Sequence, residues 1–328
     1  MLHAKPITGS GAKISARKSA RTVFYTVIAL ALLGNGPTNN APAATELVAR
    51  PGELVAATIE GAPARLRVVS GEADRLFLNA DYVARSGIKP AFLMGNGSLN
   101  IAGRRAFKFK NRPLDFVIGG MAQKGRAIWI ADAPAVDGDG SIGPWALPHA
   151  RVTLQFGDTD ATSQRHDFPL FGDISSQSVT VYKEASFGVI TNFDLDDKGA
   201  YPVASAAAGA AIARAYGGTL SGASWDVNIL LGVMRPVRLM TLERPLVIGP
   251  LSIKQIAVRV RDRIDGAGRG DPIPDGTEDP SEILVSAKKK GPRPYFTLSI
   301  PRATMAACSR LTFDKAAVRI ELWCRAGG

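Results

Sequence analysis

The chain has 328 residues, 46% of them hydrophobic and 21% charged, a composition that suits a globular protein of one large or two medium domains. Its 40 Lys and Arg against 29 Asp and Glu give a net charge of +11, but the basic clusters Lys108-Phe109-Lys110 and Lys288-Lys289-Lys290 stand beside no RNA-binding or helix-turn-helix pattern and read as solvated loops or strand edges, not as nucleic-acid sites. Beyond residue 43 the only histidines are His149 and His166, which excludes a multi-histidine metal site unless carboxylates dominate it.

Residues 1–43 read as a signal peptide. Lys5, Lys13, Arg17, Lys18 and Arg21 form a basic start, residues 23–33 an apolar core, and Ala41-Pro42-Ala43 a cleavage site ending at Ala43. The apolar run is about a dozen residues, short of the roughly 20 that span a bilayer. The expected location is therefore periplasmic or secreted, without stable membrane insertion once the leader is removed; the alternative is a leader retained as an anchor. Without its five basic residues the net charge falls to +6, which mainly favours solubility.

Residues 44–53 read as a flexible lead-in, Leu54–Ile59 as a strand and Glu60-Gly61-Ala62-Pro63 as a turn. Next come a strand holding Leu66 and Val68, a small-residue turn at Val69-Ser70-Gly71, a second apolar run at Leu76-Phe77-Leu78, and a short helix over 81–86 that Gly87 would close. Short strands follow at 99–101, 105–110 and 126–130. A segment rich in Gly, Pro and Asp then leads into an alternating strand at 151–156. The polar stretch 157–177 shows no period and reads as the connection between halves.

The second half opens with strands at 178–182 and 187–193. Asp197-Lys198-Gly199-Ala200, Val203-Ala204-Ser205 and an alanine-rich helix over 204–216, stopped by Gly217-Gly218, come next. Strands at 225–231, 237–242 and 253–260 precede an exposed loop insertion at about 262–290. After a strand at 296–300 the chain closes with a hairpin that turns at Asp314-Lys315-Ala316-Ala317. Cys308 and Cys324 lie symmetrically about that turn, so their Cβ atoms would approach to roughly 4.5–5.5 Å, close to disulfide reach. In an oxidising compartment they should be bridged, two buried free thiols being the alternative.

The halves match in order. Asn111-Arg112-Pro113-Leu114 answers Glu243-Arg244-Pro245-Leu246, and Val117-Ile118-Gly119 answers Val247-Ile248-Gly249. Ser141-Ile142 answers Ser299-Ile300, and Arg151-Val152-Thr153-Leu154 answers Arg310-Leu311-Thr312-Phe313. The expectation is a mostly-β protein built by internal duplication of a β-barrel lobe carrying a short helix, with lobes at 44–157 and 178–328.

These segments resemble the retropepsin-like aspartic peptidases of bacterial exported proteins, with two lobes fused as in pepsin-type enzymes. The resemblance implies that each lobe presents an Asp-Thr-Gly turn, matched here by Val69-Ser70-Gly71 and Asp197-Lys198-Gly199. Such an enzyme needs two carboxyls about 3 Å apart sharing a proton. Val69 carries none, and Glu72 and Asp74 lie several ångström further along the chain. The expected function is a catalytically degenerate protein that grips an extended peptide or protein segment in the inter-lobe cleft by main-chain hydrogen bonds. It needs no cofactor and no metal. The first alternative is an active endopeptidase using Asp197 and an unrecognised second carboxylate, such as Asp74 or one from a second subunit. The second is a structural envelope protein, with Asp197 a solvated turn residue.

Other chemistries lack their patterns. Ser70 has no Gly-x-Ser-x-Gly elbow. Asp137-Gly138-Asp139-Gly140 lacks the Glu that a calcium loop requires and reads as a turn. His149 and the four tryptophans read as structural. The sequence does not fix the oligomeric state.

Overall fold

The computed structural model describes residues 46–72, 74–101, 105–158, 162–170, 179–184, 187–260 and 296–325. The signal-peptide and loop-insertion expectations fall outside the described residues. The first half contains β1 (Glu46–Ala49), β2 (Leu54–Ile59), β3 (Ala62–Val68), β4 (Arg75–Leu78), α1 (Ala80–Ser86), β5 (Asn96–Ile101), β6 (Arg105–Ile118), β7 (Met121–Trp129), β8 (Gly140–Ile142) and β9 (Arg151–Gln155). After β10 (Ser163–Pro169) the second half contains β11 (Val179–Glu184), β12 (Phe187–Asp194), β13 (Val203–Ala204), α2 (Ala206–Tyr216), β14 (Gly218–Leu230), β15 (Val233–Ile248) and β16 (Leu251–Arg259). It ends with β17 (Thr297–Pro301), a 3-10 turn (Arg302–Met305), β18 (Cys308–Asp314) and β19 (Arg319–Arg325).

Among the described residues strand makes up 59% and helix 10%, as the patterning predicts. The first lobe's sheet runs β2-β3-β8-β4-β7-β6-β5, and pairing of β2 with β6 closes six of these strands into a barrel. The second lobe's sheet runs β11-β12-β17-β13-β16-β15-β14, the same order element for element. A third sheet, β1-β9-β18-β19-β10, takes strands from both halves. In it Thr153 of β9 faces Thr312 of β18, and their hydroxyls are 2.8 Å apart. Those residues are equivalent in the duplication, so the local two-fold passes between them.

Long hairpins replace the broken strands expected around Pro113 and Pro245. A proline cannot donate to a ladder, so it reads as a strand end. Here β6 bonds β5 through Lys110 and β2 from Phe116 onward, and Pro113 falls between the two registers, where no acceptor awaits it. Pro245 likewise sits in the register shift of β15 against β16. Two segments read as irregular are strands: β1 runs parallel to β9, and β10 pairs with β19 along its whole length. β10 hides its period because Phe168 alone among its side chains is fully buried.

Both helices end as expected, on left-handed Gly87 and Gly217. α2 is capped by Ser205, whose Oγ accepts from Ala208 N. It lies so close to β16 that a methyl on Gly209 would collide with Val258. Trp129 and Trp145 are core residues, but Trp225, on the outer strand β14, is 38% exposed.

Cys308 and Cys324 are disulfide-bonded across the β18–β19 ladder, beside a bulge. The bridge closes a loop with a sequence separation of 16, so Cys324→Ser should cost about 3 kcal/mol in the chain-entropy account. A thermal melt of the variant should fall below that of the oxidised wild type and coincide with that of the reduced wild type.

Candidate functional site

Strand register, rather than motif spelling, decides which residues the two lobes place at equivalent points. In the first lobe β3 runs parallel to β8, with Arg67 opposite Ser141 and Val68 opposite Ile142. In the second, β12 runs parallel to β17, with Asn192 opposite Ser299 and Phe193 opposite Ile300. Val69 is therefore equivalent to Asp194, Ser70 to Leu195 and Gly71 to Asp196. The strand after the turn agrees: β4 puts Phe77 opposite Ser141, and β13 puts Val203 opposite Ser299. That makes Asn79 and Ser205, the two helix N-cap residues, equivalent as well.

This corrects the equivalence drawn from sequence, in which Asp197 matched Val69. Asp197 lies three residues beyond the equivalent point. Its Oδ1 accepts from Gly199 N at 2.8 Å, so it caps its own turn, and Lys198 is exposed. The sequence at Asp194 does not spell the motif, because Leu195-Asp196 follow it in place of a hydroxyl and a glycine. The hydrophobic-x pairs Val68-Val69 and Phe193-Asp194, aligned on the helix caps, carry the signal that finds it.

The two turns are bonded to each other. Ser70 is fully buried, and its Oγ accepts from Leu195 N at 2.8 Å. The reciprocal bond cannot form, because Leu195 has no hydroxyl. A methyl at Gly71 would stand 3.1 Å from Asn192 Nδ2 and 3.6 Å from Asp194 Oδ2. The first lobe's turn thus presses directly on the second lobe's carboxyl, and Gly71 makes the approach available. A second link, from Arg67, joins Asp196 Oδ1 at 2.9 Å and Asp137 Oδ2 at 2.8 Å.

Asp194 Oδ1 accepts from Asp196 N at 3.0 Å and Asp197 N at 3.1 Å. Burial nonetheless pushes its carboxyl up to about 6, with the Asp196 charge adding to the shift and those two N–H groups opposing it. Glu72 follows the first turn, and its Oε1 accepts from Ser141 Oγ of β8. Although part of the residue reaches the surface, the carboxyl is enclosed, and burial pushes it up to about 7. The Ser141 bond and Arg75 oppose that shift, while the charges of Asp196 and Asp194 add to it. Sequence reading set Glu72 aside on chain distance, because nothing local shows that β8 will bring Ser141 to it.

The β14–β15 hairpin crosses to the first lobe. Val233 is buried with Phe107 and Ile130, and Ile229, Leu231, Phe77, Phe109 and Ala133 pack around them. At the tip, a methyl on Gly232 would lie 3.1 Å from Pro134 Cγ. Within the second sheet β14 pairs only with β15 among the described residues. Beside the turns, a cavity of about 520 Å³ is lined by Arg67, Asp196, Asp197, Lys198 and Arg302 among others.

Among the described residues no group of three or more His, Cys, Asp or Glu side chains is arranged to hold a metal. Asp137 and Asp139 bond arginines instead: Asp139 Oδ2 accepts from Arg65 N, and Asp137 pairs with Arg67. His149 is buried, and burial together with the Lys315 charge lowers its pKa. In comparisons with known proteins, no family model matches the chain and no curated protein matches it.

Proposed function

We propose that this chain is an aspartic-peptidase-like protein that binds an extended peptide or protein segment between its lobes without cleaving it. The observation that carries this reading is the pairing of Val69 with Asp194 at equivalent points of the two turns. The architecture that would present two carboxyls to a scissile bond presents one at those points. The Ser70–Leu195 bond keeps the turns joined without the second carboxyl. Among the described residues β14 has a strand partner on one side only, and an added strand could bond the main-chain donors and acceptors of the other.

One observation favours a second reading, hydrolysis by Asp194 with Glu72 as its partner. Glu72 is enclosed just beyond the first lobe's turn, which presses on Asp194, and its value of about 7, against about 6 for Asp194, gives an acid and a base poised in the neutral range.

One experiment separates the readings. A mixed peptide library is incubated with the protein across the pH range bracketing the two carboxyls. Retained peptides and new peptide termini are then read by mass spectrometry. The binding reading expects peptides retained intact, with retention lost when their backbones are N-methylated. New termini that vanish in both Asp194→Asn and Glu72→Gln would establish hydrolysis. Neither retention nor cleavage by a folded protein would defeat both.

A further inference from the structure

We infer that the turn between α1 and β5 is a contact site for an anionic lipid surface, a role independent of the cleft. Three consecutive large apolar side chains stand in solvent there: Phe92 is 100% exposed, Leu93 77% and Met94 89%. Isolated exposed apolar residues are ordinary on a protein surface, but a contiguous run marks an interaction site.

The turn is built, not loose. Ala91 N donates to Asn111 O at 3.0 Å, Asn111 N to Gly95 O at 2.8 Å, and the buried Asn111 side chain donates from Nδ2 to Met94 O at 3.0 Å. Arg126 bonds the same side chain through Oδ1. Met94 is held at φ +59°, a left-handed conformation that non-glycine residues adopt only when their surroundings impose it. Gly95 permits the reversal, since a methyl there would collide with the Ala91 carbonyl. The fold therefore holds three apolar side chains outward at a cost in backbone strain.

The sequence on either side of the turn carries charge of one sign between Asp81 and Asp115. From Tyr82 to Leu114 the sequence holds seven Lys and Arg and no Asp or Glu. Of these, Arg85 and Arg112 are tied to acids elsewhere in the first lobe, at Asp139 and Glu60. Lys89, Lys108 and Lys110 are exposed. Lys110 and Lys108 sit opposite Asn96 and Ser98 on the ladder that begins at the turn, and Lys89 precedes Phe92 by three positions. A projecting apolar tip with cations beside it fits the boundary between headgroups and acyl chains, where the tip is buried and the lysines meet anionic headgroups. No helix among the described residues is long and apolar enough to cross a membrane.

The test uses the full chain and two variants, Phe92→Ser/Leu93→Ser/Met94→Ser and Lys89→Gln/Lys108→Gln/Lys110→Gln, with melting curves confirming that each folds. Co-sedimentation is measured with zwitterionic phosphatidylcholine vesicles and with vesicles carrying anionic phosphatidylglycerol. The wild type should partition to the anionic vesicles at least about tenfold more strongly than either variant, and added salt should weaken it. An environment-sensitive fluorophore on Leu93→Cys should shift to the blue on adding anionic vesicles, which separates contact by the turn from contact by residues 1–43. Equal sedimentation of the serine variant and the wild type, or no spectral shift at position 93, would overturn the inference. So would lipid-free self-association that the serine variant abolishes, which would make a second copy of the chain the occupant.

Discussion

Glu72→Gln should raise the unfolding free energy by on the order of 3 kcal/mol at about pH 8 and leave it nearly unchanged at about pH 4. The folded carboxyl titrates at about 7 against a reference of 4.5. Below the unfolded value both states hold the proton and the group is neutral to stability. Between the two values the unfolded chain has released the proton and the folded chain has not, so stability falls as pH rises. Above about 7 the folded protein carries a buried anion and bears the whole cost. Glutamine keeps the length and the Oε1 acceptor for Ser141 without the charge. Asp194→Asn should act in the same direction, by on the order of 2–3 kcal/mol, from a folded value of about 6 against 3.8. Its Oδ1 can still accept from Asp196 N and Asp197 N. Because each charge raises the other's cost, the double variant should gain less than the sum. Urea unfolding at the two pH values decides the matter, and a gain of equal size at both would mean that ionisation is not its source. A carboxyl that lowers stability in the neutral range is a candidate for chemistry or for ligand binding.

The duplicated architecture was legible because its signals are local and repeated. The glycines that close both helices, the apolar pairs on either side of each turn and the cysteines about a hairpin can all be read within a few residues. The centre was not legible, for two physical reasons. Asp194 is defined by which residue of β12 lies opposite β17, and a parallel register over a separation of about a hundred residues leaves no local trace. Glu72 is defined by Ser141 arriving from β8, also in parallel pairing. Strands were lost for a different reason. β1 and β10 are edges of the third sheet; β1 is only four residues long with one buried side chain, and β10 is polar, so their periodicity is weak. Pro113 and Pro245 suggest strand ends only if one assumes a single partner along the whole strand.

Glu321→Ala should weaken the third sheet strongly, costing on the order of 3 kcal/mol in denaturant unfolding. Glu321 has no exposed side-chain surface and meets three arginines: Arg151 Nη2 at 3.0 Å, Arg319 Nη2 at 2.8 Å and Arg165 Nη1 at 3.7 Å. They come from β9, β19 and β10, so one carboxylate ties the first lobe's closing strand to the last strand of the chain and to the connection. Removing it leaves those guanidiniums facing a dry gap. Because they keep 30% to 44% of their side-chain surface, they recover part of their hydration, which sets the loss at the low end for a buried partner. Asp314, which also holds Arg151 at 2.6 Å, limits it further. Asp115→Asn, which breaks a pair whose side chains are 90% and 73% exposed, should leave the midpoint where it was. The local two-fold does not repeat the cluster. Arg310, equivalent to Arg151, lies over the Trp323 ring at 3.9 Å, and the residue facing it is Gln155 where Arg151 faces Asp314. The sheet is thus joined by a charge network on one side of the Thr153–Thr312 pair and by stacking on the other. Arg310→Ala, which deletes the stacked side, should therefore cost less than Glu321→Ala, because it leaves no buried charge behind.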